Sequence, residues 1–222
     1  MIIGNGLIAN SLKKIDSEEY LFFASGVSNS LETRASEFER ELSLLKTVSA
    51  ENKEKKLIYF STLSIHDQSK QNSQYVIHKK EIEDYIENNI ENYLILRIGN
   101  IVGKGGNPNT LFNFLKTQIF NDRKFTIHLK ARRILLDIDD IPKFITPHCL
   151  NTHNKVINFS YPYYYDLKEI VSAIEKEIHK KGMYSESDEG DFYTIDFDKA
   201  IISFFSDISP EDYLRSLTQK YI

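Results

Sequence analysis

Short apolar runs alternate with stretches of helical periodicity along most of this chain of 222 residues. Residues 20–24 and 57–60 are continuous apolar runs of the length of a buried strand. Between them, Phe38, Leu42 and Leu45 recur at the spacing of one helix face. Strands that alternate with amphipathic helices form a parallel sheet with helices on both of its faces. The chain is therefore expected to adopt an α/β fold.

The same reading along the rest of the chain gives a full set of predicted elements. Strands are predicted at residues 1–3, 20–24, 57–60, 93–98 and 156–159, with short extended pieces in 125–136. Helices are predicted at residues 7–15, 31–48, 75–88, 111–120, 167–179, 198–205 and 210–221. Residues 103–109 and 183–190 are predicted to be loops, the second of them polar, acidic and mobile.

A glycine pattern, Gly4-x-Gly6-x-x-Ala9, follows the first predicted strand and begins the first predicted helix. In a dinucleotide-binding turn, the first glycine permits the tight turn and the second lets the backbone approach a pyrophosphate. A small third residue lets the helix pack closely on the strand, and the amides at the helix N-terminus face the phosphates. The pattern predicts a nicotinamide dinucleotide site, with Gly4, Asn5, Gly6, Leu7 and Ile8 as its residues.

Tyr75 and Lys79 are four residues apart at the start of a predicted helix, so their side chains share one face. A lysine ammonium beside a phenol stabilises the phenolate and lowers the pKa of the phenol from its usual value of about 10. Thr62, at the end of the strand before this helix, offers a hydroxyl that can hold a substrate oxygen against the phenol. The three residues suit proton transfer coupled to a hydride carrier.

Composition excludes several classes of protein. The net charge of −4 argues against a general nucleic-acid binder or a polybasic membrane anchor. No stretch approaches the roughly 20 apolar residues that span a bilayer, and no secretory signal is visible, so a cytoplasmic protein is expected. Cys149 rules out an internal disulfide and is expected to be a small buried apolar residue. The length suits one domain.

Together these motifs resemble the extended branch of the short-chain dehydrogenase/reductase superfamily, the nucleotide-sugar-modifying epimerase/dehydratase enzymes. Further stretches match in order, namely Phe23-Ala-Ser-Gly26, residues 57–65, Leu96-Arg-Ile-Gly-Asn-Ile-Val-Gly103, residues 133–141 with Asp140, and Asn158 followed by Leu167-Lys-Glu-Ile170. The resemblance runs from Ile2 to about Arg215. It implies a Rossmann-type parallel sheet with a small C-terminal substrate-binding lobe. Residues 1–100 would form mainly the cofactor-binding core, and residues 101–222 mainly the substrate-binding part.

The resemblance also implies roles for particular residues. Tyr75 would be the acid/base on the substrate oxygen, Lys79 would lower its pKa and hold the nicotinamide ribose, and Thr62 would bind the same oxygen. Ala24, Ser25, Gly26 and Ser61 would complete the NAD or NADP site together with the glycine turn, Tyr75 and Lys79. Substrate-binding candidates are Ser64, Asn100, Asn109, Arg132 and Arg133. Asn100 could equally have a structural role in a turn, and Arg132 and Arg133 could equally be surface charges.

Two departures from the family stand out. If residues 20–24 are its fourth strand, the second and third strands are missing and the fold is shortened. The tip of that strand, Ala24-Ser25-Gly26, carries no acidic or basic residue that would select between NAD and NADP. No His, Cys or Asp cluster has the spacing of metal ligands, so no metal is expected; Asp137-x-Asp139-Asp140 lacks the ligand count of a calcium loop.

The leading hypothesis is an NAD(P)-dependent oxidoreductase of a nucleotide-linked sugar, with 4-keto reduction favoured. Epimerisation uses the same residues, whereas dehydration is less favoured because Leu63 and Ser64 offer no acidic pair. The alternatives are a non-catalytic module that binds a nucleotide sugar or a partner protein, and a flavin reductase-like activity. A homodimer is possible through helices 31–48 and 75–88, and the tyrosine-rich run 161–165 is expected to pack in a core or an interface.

Overall fold

The computed structural model describes residues 1–148 and 152–222. Cys149, expected to be buried, lies outside the described residues. The strands are β1 (Ile2–Ile3), β2 (Tyr20–Phe23), β3 (Lys56–Thr62), β4 (Tyr93–Ile98), β5 (Asn100–Val102), β6 (Phe125–His128), β7 (Arg132–Arg133), β8 (Leu135–Asp137), β9 (Lys155–Phe159), β10 (Tyr165–Asp166) and β11 (Tyr184–Ser187). The helices are α1 (Leu7–Ser11), α2 (Ala35–Glu51), α3 (Gln74–Asn89), α4 (Leu111–Phe120), α5 (Asp140–His148), α6 (Leu167–Ile178), α7 (Lys199–Phe204) and α8 (Pro210–Tyr221).

A five-stranded parallel sheet, in the order β1-β2-β3-β4-β9, forms the first of two units. This unit comprises residues 1–98 and 138–159. Every residue of β3 is buried, which a strand needs when both faces of its sheet are covered. The predicted α/β fold with a parallel sheet is confirmed.

One core of the first unit lies between the sheet and helices α2 and α3. It contains Leu45 and Val48 of α2, Ile82 and Ile86 of α3, and the inward side chains of β2, β3 and β4. The periodicity of α2 thus serves the sheet, as the spacing of its apolar residues predicts. At the edge of the sheet, β1 pairs with β2, the next strand in the chain.

The second unit comprises residues 99–137 and 160–222. It contains three two-stranded ladders, β5 with β8, β6 with β11, and β7 with β10. Helices α4, α6 and α8 pack together within it. The tyrosine-rich run belongs to its core: Tyr161 stacks on Tyr213 with ring centroids 4.0 Å apart, and Tyr165 is buried.

Two expectations about local structure are wrong. Residues 183–190 were expected to be a mobile loop, yet Tyr184–Ser187 forms β11 and pairs in parallel with β6. The backbone N–H and C=O groups of β11 hydrogen-bond to β6, whereas a polar sequence alone predicts that they bond to water. The second helix begins at Ala35 and not at residue 31, and residues 31–34 fold around Glu32, whose carboxylate accepts from the Arg34 backbone and side chain.

Over the described residues, no helix is both long and apolar enough to cross a membrane.

Candidate active site

The glycine turn between β1 and α1 has the geometry that the sequence predicts. Gly4 has a φ of +125°, and a Cβ at this position would lie 2.4 Å from the Ala24 carbonyl oxygen. Only glycine fits such a conformation and such a close approach. A Cβ on Gly6 would meet no atom within 4 Å, so the backbone there faces open space. Asn10 donates to the carbonyls of Asn5 and Gly6 and fixes the turn.

Ser61 and Thr62 end strand β3, at the carboxyl edge of the sheet where open α/β sheets bind their ligands. The Thr62 hydroxyl oxygen accepts from the Ser64 amide at 3.1 Å, which leaves the hydroxyl proton able to donate to a ligand. The Ser61 hydroxyl is buried and has no hydrogen-bond partner among the described residues. A buried hydroxyl without a partner is costly, so a ligand atom at this edge would satisfy it.

Tyr75 lies in the first turn of α3 and is 9% exposed. It belongs to an apolar cluster with Val27, Ile65 and Val76, against which Phe38 also packs. Ile65 comes from the turn that follows Thr62, so the packing brings the end of β3 and the start of α3 together. The structure therefore places Thr62 and Tyr75 in one region of the first unit.

Lys79 is near Tyr75, but its ammonium is bound elsewhere. The Nζ atom donates to Oε1 of Glu41 at 2.9 Å and to the hydroxyl of Tyr59 at 2.9 Å. It lies 5.8 Å from the centroid of the Tyr75 ring. The side chain is only 2% exposed. Lys79 thus shares a helix face with Tyr75 as predicted, while its strongest partner is a carboxylate that the sequence analysis missed.

Glu41 of α2 is the centre of this buried cluster. Its Oε1 accepts from Lys79 and from the Tyr59 hydroxyl, and its Oε2 accepts from the Val27 amide and from His78 Nε2. Burial alone would raise the pKa of the Glu41 carboxyl, but the charge of Lys79 and the hydrogen bonds from His78, Lys79 and Val27 outweigh it and hold this pKa well below 4.5. Glu41 is therefore ionised.

Tyr59 of β3 is the second member of the cluster that the sequence analysis missed. Burial, and then the negative charge of Glu41, raise the pKa of the Tyr59 phenol well above 10. Tyr59 is a neutral phenol that donates to Glu41 at 2.7 Å and accepts from Lys79. It holds the ion pair and is unsuited to be the acid/base of a reaction.

The sequence contains a pattern that indicates a buried ion pair at Glu41. Phe38, Leu42, Leu45 and Val48 make the apolar stripe of α2, and Glu41 lies on the same face, three residues after Phe38 and four before Leu45. A carboxylate on a buried face needs a cationic partner, since an unpaired buried charge is costly. Which cation it meets depends on how α2 and α3 pack.

The loop after β2 covers the cluster. A Cβ on Gly26 would lie 2.8 Å from Lys79 Nζ and 2.9 Å from Glu41 Oε1, so the backbone of Gly26 lies directly over the ion pair. Ala24 approaches Gly4 closely, and the Arg40 guanidinium donates to the Ser25 carbonyl at 3.3 Å. The predicted cofactor residues of this loop are therefore next to both the glycine turn and Lys79.

The residues predicted to bind substrate are placed in both units. Ser64, in the first unit, follows Thr62 and donates its amide to it. The other four lie in the second unit. Asn100 donates to the Ile134 carbonyl at 3.1 Å, and Asn109 lies in the exposed turn before α4. The guanidinium groups of Arg132 and Arg133 donate hydrogen bonds to backbone carbonyl oxygens.

Other ionisable residues have local partners. His66 Nε2 lies 3.1 Å from Asn158 Oδ1, and His78 is bound to Glu41. Asp137 accepts from Lys220 and from the Tyr221 hydroxyl within the second unit. Across residues 1–148 and 152–222, no group of three His, Cys, Asp or Glu side chains could hold a metal ion.

Comparison with solved structures supports the fold. The chain superposes on a UDP-N-acetylglucosamine 4-epimerase from Methanobrevibacter ruminantium M1, solved with UDP-N-acetylmuramic acid, with a TM-score of 0.72 and 17% identity over 99% of this chain and 81% of that one. The enzyme WbmH from Bordetella bronchiseptica, in complex with NAD+, matches with a TM-score of 0.71 and 18% identity over 99% and 80% of the two chains. This chain shares the fold of these enzymes.

A third solved structure, RMD from Pseudomonas aeruginosa with NADPH, matches with a TM-score of 0.68 and 12% identity over 91% of this chain and 80% of that one. No family model and no curated protein matches the sequence. The resemblance to the extended short-chain dehydrogenase/reductase enzymes is confirmed at the level of the fold. The interpretation that the second and third strands are missing stays a prediction.

Proposed function

We propose that this chain is an NAD(P)-dependent enzyme that modifies a nucleotide-linked sugar, with Tyr75 as the acid/base. The observation that carries the proposal is the clustering, in one unit, of the Gly4–Gly6 turn, the carboxyl end of β3 with Thr62, and the start of α3 with Tyr75. The solved structures of the same fold include proteins described as UDP-sugar epimerases, and several of them hold NAD or NADPH.

The residues present fit a dinucleotide at the glycine turn. Gly4 allows the turn, and the backbone of Gly6 faces open space. The Ser61 hydroxyl is buried and has no hydrogen-bond partner among the described residues. When bound, the dinucleotide supplies or accepts the hydride. Lys79 would be expected to contact a ribose of the dinucleotide. Its ammonium already donates hydrogen bonds to Glu41 and Tyr59.

The proton chemistry belongs to Tyr75 and Thr62. Tyr75 would give a proton to the substrate oxygen as a carbonyl becomes an alcohol, and would take it back in the reverse step. Thr62, whose oxygen already accepts from Ser64, would donate its hydroxyl proton to the same oxygen and hold it against the phenol. The Tyr75 side chain packs among apolar residues, which holds the phenol in place for this step.

Of the two reactions that these residues allow, 4-epimerisation is the activity of solved enzymes with the same fold, and net 4-keto reduction requires a 4-keto substrate and a stoichiometric supply of reduced cofactor. Two incubations separate the reactions, one of UDP-glucose with catalytic NAD+ and one of a UDP-4-keto sugar with stoichiometric NADH or NADPH. Epimerisation yields a sugar with inverted C4 by NMR without net change in cofactor absorbance, whereas reduction of a 4-keto sugar consumes NADH or NADPH in equal amount.

Replacing Tyr75 with Phe tests the mechanism directly. We expect turnover to fall by about 10²–10⁴-fold while the melting temperature is little changed, because the ring packs in an apolar cluster that a phenylalanine ring also fills. Tyr85→Phe, on the same helix, is the matched control and should keep full turnover. Retained activity in Tyr75→Phe would remove Tyr75 from the mechanism.

A second candidate function has support from the Lys79–Glu41 ion pair. A lysine whose ammonium is hydrogen-bonded to a carboxylate and a phenol has little left to offer a cofactor ribose, as expected of a non-catalytic binding module. Calorimetric titration with NADH and NADPH distinguishes the candidates. Absence of binding at millimolar concentration, together with binding of a UDP-sugar, favours the module.

A homodimer through α2 and α3 is part of the proposal. Leu45 is fully buried in its own unit, and Phe38 packs on the His78 ring with centroids 4.7 Å apart, so both already have partners. A dimer would have to use the outer faces of these helices, where Ile77 is 37% exposed. Sedimentation velocity at micromolar concentration tests it, and a monomer would exclude it.

A further inference from the structure

The cluster around Glu41 is closed to water. Glu41 is fully buried, Lys79 is 2% exposed and His78 is 4% exposed. Each carboxylate oxygen of Glu41 accepts two hydrogen bonds, so its acceptor positions are filled. The donors come from α3, from β3 and from the loop after β2, which makes Glu41 the residue that joins these three elements.

An ammonium at this depth requires a negative partner. Burial disfavours the charged form of a lysine, and a buried charge is stable only when it is paired and hydrogen-bonded. Among the described residues, the carboxylate that forms an ion pair with Lys79 is Glu41. The neutral Tyr59 phenol supplies a hydrogen bond but no charge. Glu83, one turn further along α3, is already paired with Arg97 at 2.5 Å.

The same ion pair lies between the two parts of the proposed site. On one side, Gly26 of the predicted cofactor loop lies directly over Lys79 and Glu41, and the next amide, Val27, donates to Glu41 at 2.7 Å. On the other side, the Tyr75 ring centroid is 5.8 Å from Lys79 Nζ. A change in the charge or the position of Lys79 would therefore reach both the loop and Tyr75.

We propose that Glu41 is a positioning residue of the active site, the counter-ion that keeps the buried Lys79 charged and fixed between the Gly26 loop and Tyr75. The effect of Glu41 on catalysis rests on the proposed function. Its role as the counter-ion of Lys79 depends only on the geometry of the cluster. The groups that face Lys79 are Glu41 of α2, Tyr59 of β3 and Tyr75 of α3, with His78 bound to the far oxygen of Glu41.

The first experiment follows the charge of Lys79 without any substrate. Protein labelled with ¹³C at the lysine ε-carbons is titrated by NMR, and the Lys79 signal is assigned by its loss in Lys79→Met. The signal of the native protein, recorded between about pH 6 and 9, is the reference. In Glu41→Gln the signal should differ from this reference and move with pH, because the amide carries no compensating charge. An unmoved signal in Glu41→Gln overturns the proposal.

Glu83→Gln is the matched control, since it removes another buried carboxylate of the same unit that is paired with Arg97 and not with Lys79. Its Lys79 signal should behave as in the native protein. If Glu41→Gln folds poorly, the double variant Glu41→Gln/Lys79→Met carries the test. Removing both charges should raise the melting temperature above that of Glu41→Gln, and a double variant no more stable than the single one contradicts the counter-ion role.

Turnover then tests the catalytic meaning. Glu41→Gln should lower turnover by at least about tenfold and move the pH-rate profile of sugar oxidation to higher pH, because a neutral amine stabilises a phenolate less than an ammonium does. Glu41→Asp, which keeps the charge, should restore the native profile in part. A native profile in Glu41→Gln refutes the positioning role. If the native protein itself shows no turnover, the proposed function fails, while the NMR titration still decides the counter-ion role.

Discussion

The ammonium of Lys79 lies 2.9 Å from Oε1 of Glu41 and 5.8 Å from the centroid of the Tyr75 ring. The first contact is an ion pair with hydrogen-bond geometry, and the second is a weaker approach to an aromatic ring. Spacing along α3 brought Lys79 and Tyr75 to one face, but the packing of α2 on α3 gave Lys79 its strongest partner. The candidate site is therefore Lys79 with three groups around it, Glu41, Tyr59 and Tyr75, and not a simple tyrosine–lysine pair.

The depressed pKa of Glu41 makes stability depend on pH. Because the folded protein holds this pKa below 4.5, the ionised carboxylate stabilises the fold fully above about pH 4.5, and this contribution is lost as the pH falls below that value. Urea denaturation across the acid range should show this loss. Glu41→Gln should be less stable by about 3–5 kcal/mol at neutral pH, because Lys79 loses its partner, and its stability should fall less steeply in acid.

Tyr59→Phe and Tyr75→Phe should have opposite effects. Tyr59→Phe removes a phenol that donates to Glu41 and accepts from Lys79, so it should destabilise the fold by about 1–3 kcal/mol. Tyr75→Phe should lower turnover and leave stability nearly unchanged. Thermal unfolding and steady-state rates measured on both variants separate the roles; a stable, inactive Tyr59→Phe would contradict the assignment.

The two glycines of the turn should respond differently to alanine. Gly4→Ala should destabilise the fold by about 1–3 kcal/mol, because the methyl group meets the Ala24 carbonyl at 2.4 Å in a backbone conformation that alanine avoids. Gly6→Ala has open space and should keep the native melting temperature. It should nevertheless weaken NADH binding, because the methyl group would occupy the surface that a bound pyrophosphate would approach. Unchanged NADH affinity in a folded Gly6→Ala would place the cofactor elsewhere.

Thr62→Val should lower turnover by about 10²–10³-fold, since it removes the hydroxyl that would hold the substrate oxygen. The change also removes the acceptor for the Ser64 amide, so a loss of local structure must be distinguished from a loss of chemistry. Thr62→Ser keeps the hydroxyl and is the control. Steady-state rates of Thr62→Ser should approach the native rate; an equal loss in both variants would argue against a role for the hydroxyl.

Local sequence determined the parts of this protein that depend on near neighbours. The apolar runs predicted the strands of the parallel sheet, and helices α4 and α8 begin and end at the predicted residues. The Gly4–Gly6 turn could be predicted from the sequence because Gly4 has a backbone conformation that only glycine adopts easily. The shared face of Tyr75 and Lys79 was readable because helical spacing fixes it.

Tertiary structure decided whatever depends on residues distant in sequence. Strand β11 forms from a polar stretch because β6 offers it a backbone partner. Glu41 and Lys79 are separated by 38 residues, and they meet because α2 and α3 cover the same face of the sheet. The sequence by itself shows a carboxylate on an apolar stripe and a lysine beside a tyrosine. Only the packed fold decides that these two charges neutralise each other, because a buried charge takes its partner from whichever elements surround it.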